Sequence, residues 1–145
     1  MQSLRSKAIR PMSRSLAAGS IYFAVVFAIG FALGMVRVLI TGPNLGETAA
    51  VLLEVPVILT ASWFVAKWCV ARFAVHSGAA ERLTMGFVAF CLTMLAEMAV
   101  AVLLFGRTVP EHFATYSHLL GLVGFMAQLL FALLPYVQGR VGDVR

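Results

Sequence analysis

From residue 17 to residue 137 the chain is apolar almost without interruption. Three short polar stretches cut the run: TGPNLGE, ARFAVHSGAAER and GRTVPEHFATYS. A membrane helix needs roughly 20 consecutive apolar residues, and the pattern predicts four of them, at residues 17–40, 48–68, 83–105 and 118–137. The interruptions carry Gly, Pro, Asn and Ser, which favour turns. Loops this short force successive helices to run antiparallel. The expected fold is therefore an all-α integral membrane four-helix bundle, up-down-up-down, forming a single domain over 1–145. Residues 1–16 form a basic N-terminal segment. That segment and the apolar run after it resemble a signal peptide, but the run is long and no small-x-small cleavage site ends it. We read it as a permanent helix.

The polar residues inside the apolar runs follow a pattern. At 3.6 residues per turn, Gly30, Gly34 and Arg37 share a face of the first helix, and Glu47, Ala50, Glu54 and Ala61 share one on the second. Gly86, Thr93, Glu97 and Ala101 do so on the third, and His118, Gly121, Gly124, Gln128, Ala132 and Pro135 on the fourth. Small residues let membrane helices approach closely, and polar side chains bridge them there. These faces are expected to point inward, with Gly30, Gly34, Gly121 and Gly124 as packing positions. By depth, Arg37, Glu54, Glu97 and Gln128 are expected to form one intramembrane polar cluster, with Glu47 and His118 at its periphery. Pro56 cannot donate to the Leu52 carbonyl and should kink the second helix just after Glu54. Alternatively that helix starts near residue 55 with Pro56 in its first turn, which would leave Glu54 interfacial and push Trp63 and Lys67 deeper into lipid.

Composition agrees with the pattern. Of 145 residues, 61% are hydrophobic and 12% charged, and the mean hydropathy is +0.95. A soluble fold of this length could not hide so much apolar surface. The net charge of +5 does not point to nucleic acid, because the cations follow the membrane. Arg5, Lys7, Arg10, Arg14, Lys67, Arg72, Arg82, Arg140 and Arg145 fall on one side, and only Arg37 and Arg107 on the other. Basic residues accumulate on the cytoplasmic side, so both termini are expected in the cytoplasm and the chain in a bacterial inner membrane.

Site chemistry is sparse. Cys69 and Cys91 form no metal or redox motif and are expected to be free thiols that pack as small hydrophobes. His76, His112 and His118 lack metal-ligand spacing, and no histidines lie deep in two helices to hold haem. There is no phosphate loop and no Ser-His-Asp order. Ser62 reads as a hydroxyl bonded within its own helix. No metal, cofactor or enzymatic activity is expected.

The run GMVRVLITGPNLGETAAVLLEVPVILTASWFVAKWCVARF, residues 34–73, resembles a group of small four-helix proteobacterial inner-membrane proteins. The resemblance implies the membrane topology and brings no activity, cofactor or ligand with it. The expected function is a non-enzymatic membrane component that packs with itself, as a homo-oligomer, or with a larger membrane complex through its small-residue and polar faces. The alternative is a small proton- or cation-coupled transporter or channel using Glu54 and Glu97.

Overall fold

A computed structural model of the chain describes residues 2–142, with side chains from Pro11 onward. Every regular element among them is helical. Helix α1 spans Gln2–Val36 and runs into a π-helical turn, Arg37–Thr41, and a short α2, Gly42–Leu45. Helix α3 covers Glu47–Arg72, α4 Ala79–Leu103 and α5 Val109–Ala114. A 3-10 turn, Thr115–Ser117, leads into α6, Leu119–Gly142. Four segments are long and apolar enough to cross a membrane: Pro11–Leu45, Glu47–Arg72, Ala79–Leu103 and Leu119–Gly142.

The helices extend past the limits that apolarity alone suggests. Backbone amides next to lipid must be bonded within the helix, and nothing stops the helix at the last apolar residue, so Arg72 and Arg140 remain helical. The TGPNLGE stretch, expected as a loop, is mostly helix. Pro43 sits in the first turn of α2, where its missing N–H costs nothing. The Asn44 side chain donates to the Ile40 carbonyl at 2.6 Å. The reversal is concentrated at Gly46, whose φ of 84° suits glycine. Helix α3 then begins at Glu47, not near residue 55, and Pro56 lies well inside it.

The helices form a ring with an unexpected order. Helix α1 packs on α3 and α4, and α6 also packs on α3 and α4. The backbones of the α1/α6 and α3/α4 pairs do not come close among the described residues. Thus α3 and α4, joined only by residues 73–78, lie across a diagonal. Contacts within the α1/α3 pair run in opposite senses, with Gly30 beside Ile58 and Arg37 beside Glu54. Those of α4/α6 do too, with Arg82 beside Pro135 and Phe90 beside Phe125.

The tight core occupies the half of the bundle nearest the 73–78 loop. It contains Ala18, Tyr22, Val26, Ala66, Cys69, Met85, Ala89 and Phe131. Two glycines of that half allow close approach: a Cβ on Gly19 would lie 2.6 Å from the Met85 carbonyl oxygen, and one on Gly86 would collide with the Ala132 carbonyl. At Gly34 and Gly124, by contrast, an added Cβ would meet nothing within 4 Å, and at Gly30 only the Ile58 Cδ1 at 3.7 Å. Gly34 and Gly124 therefore carry no close approach within the chain, since the bundle closes at the opposite end of α1. Ser62 is buried, and its hydroxyl donates to the Ile58 carbonyl at 2.7 Å.

Candidate functional site

The sequence singles out Arg37, Glu54, Glu97 and Gln128, and the structure arranges them as two pairs. Arg37 opens the π-helical turn, whose wide loop is closed by the Gly42 N–H donating to the Arg37 carbonyl. Val38, Leu39 and Ile40 are exposed, while the Arg37 Nε stands 3.0 Å from Glu54 Oε2 on α3. The side chains remain 36% and 22% exposed. π-helical turns of this kind often mark functional positions. Here the turn sets a cation against the one carboxylate placed deep in α3.

The second pair joins α4 to α6. Gln128 Nε2 donates to Glu97 Oε1 at 2.5 Å, and the Tyr116 hydroxyl donates to Glu97 Oε2 at 3.4 Å. Tyr116 in turn lies 3.3 Å from His112 Nε2. Gln128 Oε1 is buried without a hydrogen-bond partner among the described residues. Burial pushes the Tyr116 hydroxyl up to about 12, and the adjacent Glu97 adds to the effect. Tyr116 therefore stays a neutral hydroxyl that can donate and accept together.

Local sequence holds His112 and Tyr116 in place. Thr108 and Glu111 make a capping box: Glu111 Oε2 accepts from the Thr108 N–H at 2.8 Å, and Thr108 Oγ1 from the Glu111 N–H at 3.4 Å. The Thr108 N–H, followed by its hydroxyl, holds the Glu111 carboxyl below the usual carboxylate range. Helix α5 and the 3-10 turn then project His112 and Tyr116 four residues apart on one face. Phe125 supports the Tyr116 ring at 5.3 Å. Gly121 lets the turn settle on α6, because a Cβ there would strike the Thr115 carbonyl.

No hydrogen bond or ion pair joins the Arg37–Glu54 pair to the Glu97–Gln128 pair among the described residues. The expected single cluster is thus resolved into one pair on α1/α3 and one on α4/α6. Glu47 is exposed in the first turn of α3 and lines a hollow of about 290 Å³ with Arg37, Val38, Gly42 and Pro43. His118 is also exposed; its carbonyl accepts from the Leu122 N–H at the start of α6. The histidine that reaches the polar network is His112. The T-x-x-E box at 108–111 was the signal that could have revealed it, by marking a helix inside the supposed loop. No group of three His, Cys, Asp or Glu among the described residues could hold a metal ion. No protein-family model, curated protein or solved structure matches the chain.

Proposed function

We infer that this small membrane protein is a non-enzymatic component that assembles with itself or with a larger complex in the bacterial inner membrane, both termini facing the cytoplasm. The observation that carries the reading is the outward face of α1. Ala17, Ser20, Ala24, Ala28 and Ala32 are all exposed there, three or four residues apart. Helix α1 exposes Ile21, Phe31 and Met35 beside this row, while the other long helices expose bulk: Leu53, Val57 and Phe64 on α3, Phe87 and Leu95 on α4, and Leu122, Leu130 and Leu133 on α6. Lipid suits bulky side chains, whereas a row of small ones lets a second helix backbone come close. The distribution of Lys and Arg supports the orientation. The transporter alternative finds less support, because Glu54 is paired with Arg37 and Glu97 with Gln128, and no hydrogen bond or ion pair joins the two pairs among the described residues.

The test is assembly size in native nanodiscs. The Ala24→Leu/Ala28→Leu variant should lose the assembly, while Leu130→Ala on α6 should keep it. A wild-type chain that is monomeric and co-purifies with nothing would sink the reading.

A further inference from the structure

We propose that Glu97 is a proton-binding site served from one face of the bundle by a relay through Tyr116 and His112. The proposal is independent of the α1 surface and concerns what the α4/α6 pair does.

Three observations carry it. First, the groups form a continuous chain: His112 Nε2 to the Tyr116 oxygen at 3.3 Å, and the Tyr116 hydroxyl to Glu97 Oε2 at 3.4 Å. Second, the chain runs from α5, which follows the C-terminal end of α4, to a carboxyl inside a helix long and apolar enough to cross a membrane. An ionisable group so placed is expensive and commonly functional. Third, the site can satisfy both forms of the carboxyl. Gln128 Nε2 donates to the carboxylate. Gln128 Oε1, buried and without a partner, would accept from a carboxylic acid once the amide turns over.

The transfer balances. A proton on His112 Nε2 passes to the Tyr116 oxygen as the hydroxyl's own proton passes to Glu97 Oε2. The imidazolium becomes neutral imidazole, the carboxylate becomes carboxylic acid, and Tyr116 is unchanged. The imidazole then takes a proton from hydronium or a buffer acid in the aqueous phase, leaving water or the buffer base.

Few other charges bear on the site. His112 is the titratable side chain that reaches Glu97, through the Tyr116 hydroxyl. On α5, Glu111 is engaged with Thr108. From the α1 side, Arg37 is held by Glu54, and α6 contributes the neutral Gln128. The relay stops at Glu97. Toward the 73–78 loop the bundle is closed by the Tyr22–Phe131 stack, 4.4 Å between centroids, with buried Met85 and Ala89. The site therefore loads and unloads from a single side.

Infrared spectroscopy of the full chain in liposomes, with D₂O as the probe, tests this. The wild type should show a carboxylic-acid C=O band that titrates with pH. Glu97→Gln should abolish it, and Glu54→Gln should leave it. Tyr116→Phe should slow deuteration of that band by about a hundredfold, the lower end of what a positioned proton donor contributes. His112→Gln should slow it as well. A purely structural Tyr116 would give the opposite sign, because a loosened cap speeds exchange. A band that survives Glu97→Gln, the absence of any titrating band in the folded wild type, or wild-type exchange in Tyr116→Phe would each overturn the proposal. If Glu97→Gln does not fold, the Tyr116→Phe rate decides.

Discussion

The Tyr22 hydroxyl donates a 2.9 Å hydrogen bond to the carbonyl oxygen of Phe131. That is the carbonyl that Pro135, four residues later, leaves without a backbone donor. The backbones of α1 and α6 do not come close, so the ring of Tyr22 crosses the interior of the bundle to reach α6. Ser62 on α3 lies against the same hydroxyl. One side chain thus ties α1, α3 and α6 at the point where a proline opens α6.

Removing that hydroxyl should matter because of the proline. Tyr22→Phe is expected to destabilise the protein by about 1–3 kcal/mol, the cost of a buried acceptor left unpaired. In a Pro135→Ala background an alanine N–H would claim the Phe131 carbonyl, and the same change should cost much less. Unfolding in mild denaturant across the four variants gives the coupling. Equal penalties in both backgrounds would show that the hydroxyl and the proline are independent.

The glycines should separate by position. Gly86→Ala drives a Cβ into the Ala132 carbonyl and should cost about 1–3 kcal/mol, as overpacked cores do. Gly124→Ala, with open space around it, should stay within about 0.5 kcal/mol of wild type. Midpoint shifts in thermal unfolding would reveal the contrast. Similar shifts for the two would mean that α4 and α6 can separate without loss.

The Arg37–Glu54 pair makes single lesions worse than double ones. Arg37→Met leaves an uncompensated carboxylate in the apolar span and should cost about 2 kcal/mol or more. Arg37→Met/Glu54→Met removes both charges and should recover much of that loss. The readout is the yield and thermal stability of the membrane-inserted protein. A double variant less stable than either single would show that the pair holds α1 and α3 together in its own right.

Much of this architecture can be read from the residues, for a simple reason. Apolar runs of membrane length form helices wherever lipid leaves backbone groups no other partner, so the four long helices follow from hydropathy alone. The association of polar with small residues also places Arg37, Glu54, Glu97 and Gln128 toward neighbouring helices. Which helix neighbours which is not written in a helical period. Gly19 and Gly86 settle that through close backbone contacts, and a helical wheel cannot tell them from Gly34 or Gly124. Tyr116 and His112 were hidden for a different reason. They sit in a stretch whose Gly106, Pro110 and Ser117 read as loop, while the Thr108–Glu111 box that orders it spans only four residues.

The ring order also constrains how the chain is put together as it is made. Once α1, α3 and α4 have emerged, α1 alone touches both of the others, and the inner faces of α3 and α4 have no partner on their far side. On that far side it is α6, made after them, that packs on both. Tyr22 waits through 109 residues of synthesis for its acceptor, and the tie across the bundle forms last. The bundle stays an open wedge hinged on α1 until α6 joins it.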